Sequence, residues 1–347
     1  MPPRLACSRK SVAGPLWQEY GHRVNSPSLP APRQAVSLGR LPHGSSALRN
    51  RGSVQPRLRS CAGSLALALA ALVSLPGQVS SQAAGSPRLL TSILPIYCLT
   101  RLVAGNAVLV ENLIAPNTDA HDFQLTRRER TLLDKADVLL VNGLGMEPWL
   151  EATLERGGFT RNVVRVAAGL DDPSLGLSGP NPHVWLDPVL ACGMVTNIVR
   201  ALQTADPSRG ATYSSNAAIV VARLQSFHAE QLALLAPFTG VAFMTHHDAF
   251  AYFARRYGLK VVGVIEEVPE VPPSLRHLSA LRETARRQAV KAIFIQPGHA
   301  GKQARQLGAD LGIPVAELDS LETGPARPEA YEEGLRRNLR TLRERLK

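Results

Sequence analysis

From Arg88 to the C-terminus, short runs of Val, Leu and Ile alternate with longer stretches in which apolar and polar residues are mixed. The short runs carry few charges, which is typical of strands buried on both faces of a parallel sheet. They predict strands at Arg88–Pro95, Ala107–Ala115, Asp137–Leu144, Asn162–Ala168, Val241–Thr245, Lys260–Ile265, Val290–Gln296 and Pro314–Leu318. The stretches between them predict helices, among them Thr126–Ala136, Ala249–Tyr257, Ser274–Gln288, Ala300–Leu311 and Pro328–Lys347.

One predicted helix is much longer than the others. It begins at Asp206-Pro207, a pairing typical of a helix start, and ends before Pro237. Its apolar residues recur three and four positions apart, as on one helical face: Tyr213, Ala217, Val220, Leu224 and Phe227. At 1.5 Å per residue this helix would be about 45 Å long, enough to cross two lobes.

The order of elements predicts an α/β protein. Strands that alternate with helices indicate parallel sheets with right-handed crossovers, here in two sets of about four strands. We expect an N-terminal lobe at residues 84–205, a connecting helix at 206–236 and a C-terminal lobe at 237–347.

The first 83 residues have a different character. Residues 1–55 are rich in Pro, Ser, Arg and Gly, and Arg57 and Arg59 then precede an apolar run over residues 62–73. Basic residues followed by a short apolar run are typical of a secretory signal peptide. The run is shorter than the roughly 20 apolar residues of a membrane span. We interpret residues 1–83 as a disordered basic leader plus a signal peptide, with residues 1–53 arising from a start codon assigned too far upstream. A membrane anchor or a buried core helix is the alternative.

The charge distribution argues against a nucleic-acid partner. The chain carries 39 basic and 28 acidic residues, a net charge of +11, but residues 1–60 account for +9 of it. The rest of the chain is close to neutral and has no strong field for a phosphate backbone.

Ionisable groups follow several of the predicted strands, where ligands bind in open α/β sheets. They lie in four junctions: Asn117–Phe123 with His121, Asn181–Pro188 with His183, Thr245–Phe250 with His246 and His247, and Glu317–Ser320 with Asp319. Three imidazoles and a carboxylate suit a divalent transition metal, above all Zn²⁺. Each group also has a structural interpretation as a surface residue or a helix cap, and the four cysteines show no spacing typical of a thiolate site.

Several motifs resemble the periplasmic metal-binding subunits of ABC importers, the family that includes zinc-binding ZnuA and the manganese-binding adhesin-like proteins. The matching stretches are VLVENLIAPNTDAHDFQLT, ADVLLVNGLGMEPWLE, NPHVWLDP, HHDAFAYFARRYGL and AIFIQPGHAGKQARQLGADLGIPVAELDSL. The resemblance implies two Rossmann-like lobes, each with a roughly four-stranded parallel sheet and flanking helices, joined by one long rigid helix. It also implies a metal in the cleft between them, with His121, His183, His247 and Asp319 as its ligands.

The resemblance further implies a function. It predicts a binding protein that is not an enzyme, that captures a divalent metal outside the cytoplasm and delivers it to an ABC permease. Neither Cys7 nor Cys61 lies in a lipoprotein cleavage pattern, so no lipid anchor is predicted, and we expect a monomer. Two features depart from the family: the stretch Asp171–Pro180 is short and contains no His, and the usual Asp-Pro-Leu reads Asp319-Ser320-Leu321.

The third ligand position bears on the metal. Manganese-type members of the family carry Glu there, whereas this chain has His247, and imidazole suits Zn²⁺ better than Mn²⁺. We therefore expect Zn²⁺, with Mn²⁺ or Fe²⁺ as the alternatives. Four protein ligands would leave no open position for water, which favours carrying the metal over hydrolysis. A zinc hydrolase is the competing class and would use Glu317 or Glu322 as a general base.

Three further residues lie near the predicted strand ends. His299 could be an auxiliary ligand, although a surface residue at a helix start is the favoured interpretation. Glu266 and Glu267 are interpreted as exposed acids that contact the permease.

Overall fold

Four short apolar segments in the first half of the chain pair into one parallel sheet. The computed structural model describes residues 85–116, 118, 120–121, 123–155, 162–175, 179–267 and 271–347, so the predicted leader and signal peptide lie outside the described residues. The strands of the first sheet are β1 Leu89–Thr91, β2 Val110–Asn112, β3 Val138–Val141 and β4 Asn162–Arg165. Their order in the sheet is β2-β1-β3-β4.

The second half repeats this arrangement. Its strands are β5 Ala242–Thr245, β6 Lys260–Val264, β7 Ile293–Ile295 and β8 Val315–Glu317, and they form a second parallel sheet in the order β6-β5-β7-β8. The two equivalent strand orders confirm the predicted fold class within the described residues. In each sheet the second strand lies on one side of the first strand, and the third strand lies on its other side. The loops that leave the carboxyl ends of these strands therefore run in opposite directions and leave a crevice between them.

Helices cover both sheets. They are α1 Leu94–Ala104, α2 Arg127–Lys135, α3 Pro148–Glu155, α4 Pro188–Ala205, α5 Gly210–Leu235, α6 Ala251–Arg256, α7 Leu275–Arg287, α8 Lys302–Leu311 and α9 Ala330–Arg345. The predicted strand Arg88–Pro95 was too long at its end, because α1 begins at Leu94 with Pro95 in its first turn, a position where proline is tolerated. Among the described residues, no helix combines the length and the apolar character needed to cross a membrane.

The long helix α5 has the buried face that the sequence predicted. All five predicted apolar residues are buried, together with Gln231 and Leu235. The segment Pro207–Arg209 is a separate 3₁₀ turn, so α5 begins three residues later than the expected start at Pro207. Its 26 residues correspond to about 39 Å.

Helix α5 contacts elements of both halves. It packs against α1 and α4 of the first half and against the C-terminal helix α9. The Arg336 guanidinium of α9 lies 4.9 Å from the ring centroid of Phe227, and it also pairs with Glu230 at 2.9 Å. One buried apolar cluster extends from Leu89 to Leu346 and includes core residues of both sheets. The two sheets therefore share a core, and the exact bounds of the lobes stay a prediction.

The junction between α4 and α5 is held by a buried carboxylate. Asp206 accepts hydrogen bonds from the Ser208 hydroxyl and, at 2.7 Å, from the Tyr213 hydroxyl, and it pairs with Arg209. Burial alone would raise the pKa of Asp206, but these three partners lower it to about 2. The charged carboxylate therefore stabilises the start of the connecting helix.

We expect Asp206→Asn to lower the free energy of unfolding by about 1–2 kcal/mol at pH 7, because the hydrogen bonds lose their charge. The pKa of this group is lower in the folded chain than the roughly 3.9 of an unfolded Asp, so its contribution is complete above about pH 4 and is lost toward pH 2. Urea denaturation between pH 7 and pH 2 would show the difference from wild type shrinking as the pH falls. Asp134→Asn on the exposed side of α2 is the control and should change little. A difference that stays constant down to pH 2 would contradict this role of the carboxylate.

Candidate metal centre

Three histidines and one glutamate from four separate loops converge at the carboxyl ends of the strands. His121 follows β2, His183 precedes the 3₁₀ turn Val184–Leu186, His247 follows β5 and Glu322 follows β8. One possible ligand atom from each of the four lies within 4.8 Å of the others. Each half of the chain thus contributes two side chains to one point.

The Glu322 carboxylate is the centre of this group. Its Oε1 lies 3.1 Å from Nε2 of His183 and 3.1 Å from Nε2 of His247, and its Oε2 lies 3.5 Å from Nε2 of His121. The centroids of the three imidazole rings are 5.2 to 5.8 Å apart. The three Nε2 atoms therefore all face the same acid.

Three of the four residues that the sequence singled out lie together, and the fourth does not. Asp319 lies outside the converging group, and the carboxylate within that group belongs to Glu322. The Asp319 Oδ1 accepts the backbone N–H of Leu321 at 2.8 Å, and its Oδ2 lies 3.4 Å from Arg337. Its backbone is also tied to α9, since Asn338 Nδ2 donates to the Asp319 carbonyl at 2.6 Å. Asp319 shapes the loop that carries Glu322.

The sequence contained a weak signal for Glu322. In the sequence Glu322 stands out only as a possible general base of a hydrolase, and the replacement of Asp-Pro-Leu by Asp319-Ser320-Leu321 indicates a change of local geometry. Asp319 and Glu322 are three residues apart in the same loop. The pattern of apolar and polar residues along the chain therefore could not show which of the two carboxylates reaches the histidines.

The tautomer of His183 follows from its neighbour Asn181. The Asn181 Oδ1 accepts the backbone N–H of His183 at 3.0 Å, which fixes the orientation of the amide because a backbone N–H can only donate. The same oxygen lies 2.9 Å from Nδ1 of His183, so Nδ1 carries a proton and donates it. Metal-binding histidines characteristically donate their second ring nitrogen in this way. The Nε2 of a neutral His183 then directs its lone pair toward Glu322.

Burial sets the charges at this point. It lowers the pKa of His183 to about 4, against a smaller raising effect of Glu322, so the ring is neutral at pH 7. Burial would raise the pKa of Glu322, which is 1% exposed, but the facing imidazoles hold it well below its ordinary value when they present N–H groups to it. The buried carboxylate of Glu322 and the Nε2 lone pair of neutral His183 are both acceptors. They repel each other unless a cation lies between them. The donor set fits a divalent transition metal.

Hydrogen bonds between the two halves surround the centre. Asn181 Nδ2 donates to the carbonyl of Asp248 at 2.6 Å, and the Tyr252 hydroxyl donates to the carbonyl of Asn181 at 3.1 Å. The fully buried Trp185 donates its indole N–H to the carbonyl of Ser320 at 2.7 Å. These bonds fix the His183 loop and the Glu322 loop relative to each other.

Comparisons with known proteins identify the family of this chain. A family model described as zinc-uptake complex component A, periplasmic, matches residues 89–345. The chain belongs to the ZnuA family. The resemblance drawn from its motifs is thereby confirmed.

Relatives of this ZnuA-family chain carry related descriptions. The zinc-binding protein AdcA of Streptococcus pyogenes serotype M18 is 28% identical over 292 residues, which are 75% of this chain and 56% of AdcA. The chain therefore spans little more than half the length of that relative.

Two solved structures of similar fold have a TM-score of 0.69 to this chain. One is the laminin-binding protein Lmb of Streptococcus agalactiae, described as a bifunctional protein with adhesin and metal transporting activity. It is 28% identical to this chain, and the match covers 76% of this chain and 100% of the Lmb chain. The other is the solute-binding protein FpvC of Pseudomonas aeruginosa, solved in complex with Mn²⁺. It is 25% identical to this chain, and the match covers 75% of this chain and 98% of the FpvC chain.

The position of Glu322 depends on tight packing of the preceding residue. Leu321 is 1% exposed and has a φ of 63°, in the left-handed region that favours glycine. A Cβ added to Gly334 of α9 would collide with Cδ2 of Leu321. The absence of a side chain at Gly334 therefore lets Leu321 seat against α9 and hold the Glu322 loop.

We expect Gly334→Ala to lower the free energy of unfolding by about 1–3 kcal/mol, because the new methyl group overpacks the contact with Leu321. Urea denaturation at pH 7 measures this. Gly210→Ala in the first turn of α5 is the matched control, since its Cβ would meet Gln203 at an ordinary 3.7 Å and alanine favours the helix. Equal stabilities of the two variants would mean that Leu321 moves freely and does not anchor the loop.

Proposed function

We propose that this protein captures a divalent transition metal, Zn²⁺ before others, outside the cytoplasm and delivers it to an ABC permease in the membrane. The observation that carries the proposal is the convergence of three Nε2 atoms on the buried carboxylate of Glu322. Membership of a family described as a component of a periplasmic zinc-uptake complex supports both the cargo and the permease partner.

We propose His121, His183, His247 and Glu322 as the metal ligands, with Glu322 in place of Asp319. Neutral imidazoles and a carboxylate are ligands that Zn²⁺ binds well, and a set of four closes a tetrahedral shell. The Glu322 carboxylate supplies the negative charge that offsets part of the charge of the ion. A closed shell lacks the open position at which a hydrolytic zinc site activates water, which favours transport over the competing hydrolase.

Zn²⁺ is proposed before Mn²⁺ because three of the four donors are imidazoles, and Mn²⁺ prefers oxygen ligands. The description of AdcA as zinc-binding supports this choice, whereas the Mn²⁺ complex of FpvC supports the alternative. The shared fold accommodates both ions, so the ligand set has to decide between them.

Calorimetric titration of the full chain with Zn²⁺ tests the ligand assignment. We expect one tight equivalent for the wild type and at least a 100-fold loss of affinity for Glu322→Gln, since even the partners of ligands cost 10- to 100-fold. Asp319→Asn is the matched control and should lose less than about 10-fold, because it only shapes the loop. A larger loss with Asp319→Asn than with Glu322→Gln would contradict the assignment. A wild type without any tight Zn²⁺ binding would overturn the proposed function.

The role of the third imidazole is tested by His247→Glu. Replacing a nitrogen donor by a carboxylate should reduce the preference for Zn²⁺ over Mn²⁺ by at least about 10-fold, because carboxylates suit Mn²⁺ better. Competition titrations with both ions measure this ratio in the variant and in the wild type. His228→Glu on α5, outside the four-residue group, is the control and should leave the ratio unchanged. An unchanged ratio in His247→Glu would show that this position does not choose the metal.

A further inference from the structure

A second group of metal-binding side chains lies beside the first. His246 directly follows β5, Glu266 lies two residues after the end of β6, and His299 lies in the loop after β7. These three strands are neighbours in the second sheet, in the order β6-β5-β7, so their carboxyl ends are adjacent. One possible ligand atom from each residue lies within 4.8 Å of the others.

The backbone of the sheet fixes two of the three residues. The N–H of His246 donates to the carbonyl of Phe294 at 2.7 Å, and the N–H of Glu266 donates to the carbonyl of His246 at 2.8 Å. Both residues are 7% exposed. The prediction that Glu266 is an exposed acid was therefore wrong, because the end of β6 turns it inward against the neighbouring strand.

One nitrogen of this group is buried without a hydrogen-bond partner. Nε2 of His246 lies 3.2 Å from Oε1 of Glu266, yet this nitrogen makes no hydrogen bond. The rings of His246 and His299 lie 3.9 Å apart at the centroids. A buried imidazole nitrogen left without a hydrogen bond is unfavourable, whereas a cation between the nitrogen and the carboxylate would use both.

His299 gives this group an opening to solvent. It is half-buried, and its Nδ1 accepts the backbone N–H of Gly301 at 3.0 Å. Neutral His299 therefore carries its proton on Nε2. Binding a metal through Nε2 requires the proton to move to Nδ1, where it would face the Gly301 N–H and break that bond. This reorganisation makes the group a weaker ligand set than the one around Glu322.

We propose that His246, Glu266 and His299 form a second site for a divalent transition metal. Two imidazoles and one carboxylate give three protein ligands, so a tetrahedral ion such as Zn²⁺ keeps one position for water and stays exchangeable. The ring centroids of His246 and His247 are 6.5 Å apart, so two bound ions would repel each other, and the second site fills after the first.

Native mass spectrometry and calorimetry of the full chain, titrated with Zn²⁺ alone, test the proposal. We expect two equivalents for the wild type, the second at least 10-fold weaker. His299→Asn and Glu266→Gln should each bind one equivalent with the tight phase unchanged. His228→Asn on α5, outside both groups of metal-binding side chains, is the matched control and should still bind two.

A wild type that binds one equivalent, or a His228→Asn variant that loses the second as fully as His299→Asn does, overturns the second site. Glu322→Gln separates this proposal from the proposed function, since it should lose the tight phase and keep the equivalent at His246. Nuclear magnetic resonance supplies a second readout. The Gly301 amide signal should shift with the second equivalent and not with the first, and a signal that follows the first equivalent contradicts the site.

Discussion

The buried carboxylate of Glu322 is the interaction on which the rest of the site depends. It is 1% exposed and stays ionised, although burial alone would favour its neutral form. Its negative charge faces three imidazoles, and Asn181 holds one of them with its lone pair toward the acid. Such an arrangement is stable only when positive charge is shared among the four side chains, which a divalent ion provides.

The fold supplies the geometry for this interaction by joining two similar halves through a shared core. Trp185 of the first half is fully buried and bonds to Ser320 of the second, and α5 contacts helices of both. A movement that separated the two halves would break these contacts and expose apolar surface. The three imidazoles and the carboxylate are therefore held close together with little freedom, an arrangement that suits a small ion better than a larger solute.

The carboxyl end of β5 contributes to two groups of ionisable side chains. His246 and His247 are consecutive residues that leave β5 on different sides, one toward Glu266 and the other toward Glu322. Consecutive residues at the end of a strand point to opposite faces, so one strand end can contribute to two groups of ionisable side chains. This accounts for a second imidazole beside the one that matches the family motif.

The sequence by itself determined the alternation of strands and helices, the buried face of α5 and the three histidines at strand ends, because each depends on local periodicity or on motifs read along the chain. Only the tertiary structure decided between Asp319 and Glu322. The turn of the loop, set by the bonds of Asp319 to Leu321 and by the contact of Leu321 with Gly334, decides which carboxylate reaches the histidines. Likewise, Glu266 was expected at the surface, and the neighbouring strands in the sheet place it inside. Burial and convergence depend on residues far apart in the chain, and no local pattern records them.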